Sequence, residues 1–242
     1  MNLTLSQPRK LEAALILRYG GVMNYPLLAG VPKHYSRALL TRLAFSKRHN
    51  FFYARIPKAA NSTVVATLAS HIEPERLANT SAELKFRLNR APTMRQFNRA
   101  FKFSIVRDPT DRVLSSYLHQ RGKMGIRTNQ PSKKEFLEFL NAISERDFKG
   151  NGHFLPQTIM IAGGAHRMDY IGRVETLEAD LKHICETVFG TFNFVQQARS
   201  HRTDASNKRN QFLTPAAVEK IKFLYKDDFE QLGYDQPLAL ID

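Results

Sequence analysis

Two short stretches hold the residues whose types and spacing could do chemistry. In IPKAANST, residues 56–63, a strand-like apolar run ends in a proline, a lysine, small residues and two hydroxyls before a helical pattern resumes. The first turn of a helix presents N–H groups with no intrahelical partner and the positive end of the helix dipole, so this loop suits an anion. Ala59 and Ala60 let a ligand approach the backbone, Asn61 leads into the helix, Ser62 and Thr63 add hydroxyl donors, and Lys58 adds a mobile cation. In the second stretch, RDPTDRVLSSY at 107–117, the planar fork of Arg107 can grip two oxygens of a phosphate. Ser115, two helical turns on, can reach the same group, and Arg112 is placed to pair with Asp108 or Asp111.

Both stretches follow segments that read as buried strands, 51–57 and 101–109, and MDYIGRVE at 168–175 reads as a third. Helical patterns cover 62–71, the stretch from Thr110 with that residue as N-cap, 133–146, a segment closed by Gly190, and one terminal helix from Pro215 to Gly233. Strands separated by helices argue for an α/β fold, a central parallel sheet covered on both sides. Ligands of such sheets bind beyond the carboxyl ends of the strands, where both stretches lie. One domain is expected over 1–242, with 1–50 as a helical N-terminal extension packed on it.

Composition is that of an ordinary globular protein, with 43% hydrophobic residues, 12 Gly and 11 Pro. Charge is the outlier: 36 Lys and Arg against 22 Asp and Glu give +14, which favours polyanionic partners. The basic segments 84–102 and 121–134 are candidates for the rim of a positive cleft. A single cysteine, Cys185, excludes an internal disulfide and a cysteine-based metal site. Its helical spacing with Leu177, Leu181, Ile184 and Val188 marks it as a buried structural thiol. No apolar run is long enough to span a bilayer, and Glu12 and Arg18 interrupt the first apolar patch, so the expectation is a cytoplasmic protein without signal peptide or transmembrane segment.

A Walker phosphate loop needs G-x-x-x-x-G-K-[ST], which this chain lacks, and no aspartate stands where magnesium would be held. Two phosphate-type sites, one per strand, fit a nucleotide carrying phosphates at two positions. The pair resembles the 5′-phosphosulfate and 3′-phosphate motifs of sulfotransferases that use 3′-phosphoadenosine 5′-phosphosulfate (PAPS). GNGHFLPQ, DYIGRVETLEADL and YKDDFEQLGYD resemble three further blocks of the Golgi carbohydrate sulfotransferases, the HNK-1, chondroitin and dermatan 4-O-sulfotransferase group. The likeness runs in the same order through residues 51–235. It departs at Asn61, where the family usually has Cys or Gly, and in lacking the cysteines around HFLPQ and the membrane anchor.

The resemblance implies a P-loop-like three-layer fold, PAPS as sulfuryl donor, no metal, and a carbohydrate hydroxyl on a glycan or glycolipid as acceptor, with no nucleic acid partner. It assigns the 5′-phosphosulfate to the 58–63 loop and the 3′-phosphate to Arg107 and Ser115. Lys58 is the natural group to meet charge on the leaving oxygen. His153 is the chosen base, because a neutral imidazole can take the acceptor's proton. His119 and Glu175 are lesser candidates. Arg173 is placed to contact the nucleotide or to pair with Glu175, and Arg202, Lys208 and Arg209 lie in a loop that reads more readily as solvated. Ile221, Phe223, Leu224 and Phe229 read as core. The rival readings are a nucleotide kinase or NTPase with a degenerate phosphate loop, and a basic nucleic-acid-binding protein.

Overall fold

Phe51, Phe52 and Tyr53 place aromatic rings on both faces of one short strand, which is stable only where both faces are covered. In a computed structural model of the chain, which describes residues 26–74, 88, 90–121, 131–196 and 204–237, that strand lies inside a four-stranded sheet. The strands β1 (Leu43–Ser46), β2 (Phe51–Ala54), β3 (Phe101–Val106) and β4 (Tyr170–Arg173) stand side by side in that order. β2, β3 and β4 are parallel; β1 is antiparallel, with Leu43 opposite Ala54 and Ser46 opposite Phe51.

β1 corrects the expectation of short helices through residue 50. LAFS is buried at every position and too short to show a period. The Lys47–Asn50 turn folds it back on β2. Asn50 takes the left-handed φ of 50° there, and its side chain donates to the Arg99 carbonyl at 2.8 Å.

The helices follow in chain order: α1 (Ser36–Leu40), α2 (Asn61–Ile72), α3 (Met94–Arg99), α4 (Pro109–Gln120), α5 (Lys133–Glu145), α6 (Gln157–Met160), α7 (Leu177–Phe189), α8 (Arg209–Phe212), α9 (Pro215–Leu224) and α10 (Lys226–Leu232). On one face of the sheet, Tyr53, Phe103 and Ile105 pack with Val64, Val65 and Leu68 of α2 and Leu181 and Ile184 of α7. On the other, Phe52, Ala54 and Val106 pack with Leu39 of α1, Phe97 of α3 and Met160 of α6. A third cluster joins α4, α5, α9 and α10 around Tyr117, Phe136, Phe139, Ile221 and Phe229. Cys185 is a buried free thiol, its pKa pushed up to about 12 by burial.

Three local expectations change. Helix α4 is capped by Asp108, whose carboxylate accepts from the Asp111 N–H at 2.9 Å, with Pro109 at the first helical position; Thr110 lies inside the helix. The terminal helix breaks at Tyr225, where φ is −120°, so that its buried ring can donate a hydroxyl bond to the Phe154 carbonyl at 2.8 Å. Phe223 is 74% exposed and not core.

β4 runs close under α7. Asp180 of α7 accepts from the Tyr170 hydroxyl at 2.6 Å and the Arg173 N–H at 2.7 Å, which draws helix and strand together over Gly172. A Cβ on Gly172 would lie 2.7 Å from Ile105 Cδ1 and 2.8 Å from Asp180 Cβ. Gly172→Ala is therefore expected to cost about 1–3 kcal/mol. The measurement is urea unfolding, in which the midpoint should fall at unchanged slope.

Candidate functional site

β2 delivers its chain into a four-residue turn, Pro57–Ala60, and straight on into α2. Lys58 and Ala60 both take left-handed backbone conformations, φ 69° and 47°, and Ala59 between them is fully buried. A side-chain-bearing residue pays roughly 1–2 kcal/mol for that conformation, and such strain gathers at functional sites. The first α2 helix bond runs from Val64 N–H to the Ala60 carbonyl at 3.1 Å, so the N–H groups of Asn61, Ser62 and Thr63 open the helix. Ser62 is exposed, and Asn61 keeps its Oδ1 buried with no hydrogen-bond partner.

β3 ends at Val106, and Arg107 follows at the same end of the sheet. Its guanidinium donates to the Lys58 carbonyl at 3.5 Å and to Ser206 Oγ at 3.3 Å, and lies 3.8 Å from the Asp111 carboxylate. The two motifs are therefore neighbours at the carboxyl ends of β2 and β3. Gln157 fixes the Arg107 backbone from both sides, accepting from its N–H at 2.9 Å and donating to its carbonyl at 2.7 Å. Gln157 is held in turn by the buried Asp228, which accepts from the Gln157 N–H at 2.8 Å and from Thr158 N–H and Oγ1, each at 2.9 Å. Ser115 is buried on α4.

His153 is brought to the same place by Arg112. The fully buried Arg112 does not pair with Asp108 or Asp111. It donates to the carbonyls of Pro57 at 3.1 Å, Leu155 at 2.8 Å and Gly152 at 3.1 Å. Ser116 Oγ donates to the His153 carbonyl at 2.8 Å, and Asn151 Oδ1 accepts from its N–H at 3.0 Å. The imidazole stacks on His119 at 6.1 Å between ring centres, and its Nδ1 is buried with no hydrogen-bond partner. Burial, then the cations Arg42, Lys58 and Arg112, push its pKa down to about 3. The ring is neutral at pH 7.

Arg173 has other duties. It donates to the carbonyls of Leu232 at 2.9 Å and Gly233 at 3.0 Å, which close α10, and stacks at 4.5 Å on the Tyr234 ring; it does not pair with Glu175. Glu175 accepts from the Asp108 N–H at 2.9 Å and the Tyr234 hydroxyl at 3.1 Å, which makes it a support of the Arg107 turn. Arg209, expected in a solvated loop, bridges Asp108 at 2.7 Å and Asp111 at 2.6 Å. Arg202 and parts of both basic segments lie outside the described residues. Among the described residues, no three His, Cys, Asp or Glu side chains gather in a way that could hold a metal ion. Gln157, Ser116 and Asp228 were not singled out from the sequence as positioning groups. Gln157 and Asp228 lie in the HFLPQ and YKDDFEQ blocks and Ser116 in RDPTDRVLSSY, and a buried acid beside a helix start has no local sequence signature.

Residues 41–235 match the profile of the sulfotransferase family. Carbohydrate sulfotransferase 14 of Mus musculus is 28% identical over 187 residues, 65% of this chain and 49% of the mouse protein. The Homo sapiens protein of that name is 27% identical over the same shares, and the Danio rerio one 23% identical over 237 residues, 83% of this chain and 64% of that protein. The chain thus spans about half the length of the mouse and human relatives. No solved structure gives a significant match. These relatives overturn the cytoplasmic expectation, since they are Golgi-type enzymes. No helix among the described residues is long and apolar enough to cross a membrane, an observation that assigns no compartment.

A histidine held at about pKa 3 instead of 6.5 should not titrate between pH 5 and 8. The folded pKa lies below the unfolded one, so the unfolded chain takes up the proton first and this group's effect on stability is a loss as pH falls through 6.5. Histidine ring NMR checks it: His153 shifts should stay flat down to pH 5.

Proposed function

The chain belongs to the sulfotransferase family, and from that premise we propose that it transfers the sulfuryl group of PAPS to a hydroxyl of a carbohydrate acceptor, a glycan or glycolipid, within one domain. One observation supports this most directly: the Arg107 guanidinium reaches the Lys58 carbonyl, which sets an anion-suited helix start beside a second phosphate-type site. The donor set fits a doubly anionic nucleotide. The first-turn N–H groups of 61–63, the Ser62 and Thr63 hydroxyls and Lys58 suit the 5′-phosphosulfate, and Arg107 with Ser115 suits the 3′-phosphate.

PAPS supplies an activated sulfur whose leaving group is a phosphate. The acceptor oxygen attacks sulfur in line with the leaving bridging oxygen, the new S–O bond forms as the old one breaks, and the products are a sulfate ester and adenosine 3′,5′-bisphosphate. Lys58 and the backbone N–H groups of its loop meet the charge that gathers on the bridging and sulfuryl oxygens. His153 takes the hydroxyl proton. As the free protein holds it, this imidazole is a weak base because cations surround it. An anion seated against Lys58 cancels part of that field, so loading the donor makes His153 more basic when a base is needed. Arg173 holds the end of α10, and Glu175 supports the Arg107 turn.

Adenosine 3′,5′-bisphosphate should raise the melting temperature of the protein, and no shift at saturation would sink the assignment. Lys58→Ala and Arg107→Ala should each weaken nucleotide binding about tenfold or more, the loss expected when a charged hydrogen-bond partner goes. His153→Ala should lower kcat by about 10²-fold or more with nucleotide affinity retained. Normal turnover in that variant would remove His153 as the base.

A further inference from the structure

Helix α9 turns one side into the protein and the other outward. Ala217, Val218 and Ile221 are buried in the cluster that holds Phe136, Phe139 and Leu140 of α5. The outward stripe is Ala216, Glu219, Lys220 and Phe223, spaced i, i+3, i+4 and i+7 over about 10 Å of helix. With Leu137 and Asn141 of α5, these four line one open groove. Among the described residues, Phe223 is the only large hydrophobic side chain left exposed. A single exposed ring is ordinary on a protein surface. The order of the residues beside it is what gives this one a meaning.

In chain order the stripe runs small, acidic, basic, large. Laid antiparallel against a copy of itself, it is complementary at every position. A two-fold axis between 219 and 220 sets 216 opposite 223 and 219 opposite 220. The ring then meets the smallest side chain of the stripe, and the acid meets the base. Each contact occurs twice, because both copies present the same surface.

Charge also favours a second copy over the polyanions that the whole chain attracts. The stripe carries one acid and one base, whereas the chain is +14. Glu219 accepts from Lys222 Nζ at 3.0 Å through Oε1, which holds its carboxylate on the outer surface of the helix. Lys220 Nζ lies 5.7 Å from the centre of the Phe223 ring, so cation and ring stand side by side.

We propose that α9 is the two-fold interface of a homodimer, pairing antiparallel with α9 of a second copy. Phe223 seats against Ala216 of that copy and Glu219 against its Lys220, on both sides of the axis. The interface is small, so the dimer dissociates on dilution. The inference is independent of the sulfotransferase reading.

The test is sedimentation velocity of the full chain over a dilution series. Wild-type protein should sediment with twice the chain's mass when concentrated and once when dilute. Glu219→Lys and Lys220→Glu each set like charges opposite one another at both contacts, and each should weaken association about tenfold or more. The two variants move the net charge in opposite directions, so general repulsion between copies cannot weaken both. Mixed in equal amounts they should dimerise again, since each supplies the charge that the other needs. That rescue also shows that neither variant is misfolded. Phe223→Ser should weaken association by about tenfold as well. Wild-type protein that stays monomeric at every concentration overturns the proposal. A dimer left intact by these substitutions overturns it too, because its interface lies elsewhere, and so does a mixture of the two charge variants that stays monomeric.

Discussion

Arg112 leaves α4 and donates to three carbonyls, those of Pro57, Gly152 and Leu155. Through them it ties the Lys58 loop, the His153 loop and the helix after Arg107 into one body. The guanidinium is buried, and burial lowers its pKa, with Asp228 as the strongest opposing influence. A guanidinium carries its N–H donors on three nitrogens of one rigid planar fork, and here each nitrogen serves a different carbonyl. A lysine there would leave at least part of this set unsatisfied in a place water cannot reach. Each orphaned carbonyl would cost about 1–3 kcal/mol. The geometry of the cleft is therefore a by-product of satisfying one interior cation.

Around that centre the charges are sorted by sign. Carboxylates serve as supports: Asp228 holds Gln157, Glu175 holds the Asp108 N–H, and Asp108 and Asp111 hold Arg209. The Arg107 guanidinium reaches the Lys58 loop, and the charges of Arg42 and Lys58 act on His153. The net charge of +14 thus has a local expression: opposite charges are used up in building the turns, and the excess that remains is positive. Such a field favours the approach of an anionic donor and lowers the basicity of any imidazole inside it.

How much of this could be read in the sequence follows from the range over which each signal acts. The 58–63 loop and the Arg107 turn were legible because strand, turn and helix start are written in consecutive residues. β2, β3 and β4 stand where aromatic and β-branched runs placed them. β1 was missed because four buried residues carry no period, and their strand state is decided by pairing with β2. The break at Tyr225 was missed for a similar reason: a distant carbonyl, that of Phe154, decides it. Local spacing pairs Arg112 with Asp108 or Asp111 and, where it does not contact the nucleotide, Arg173 with Glu175. Arg112 instead reaches carbonyls 40, 43 and 55 residues away, and Arg173 carbonyls 59 and 60 away. Long side chains are the worst case for local reading.

The loop itself shows why a glycine-rich sequence is dispensable here. A phosphate loop needs tight turns and close backbone approach, which glycine supplies at the cost of a flexible unfolded chain. This chain uses Lys58 and Ala60 in left-handed conformations, at roughly 1–2 kcal/mol each. Charged donors hold the turn at two of its carbonyls, Arg112 on Pro57 at 3.1 Å and Arg107 on Lys58 at 3.5 Å. Charge-assisted bonds contribute about 1.5–3 kcal/mol, the longer one at the low end. The two sums are of the same size, so the strained turn can exist folded before any ligand arrives. A loop built this way does not have to be ordered by its nucleotide, and the binding energy of the nucleotide is left for positioning sulfur.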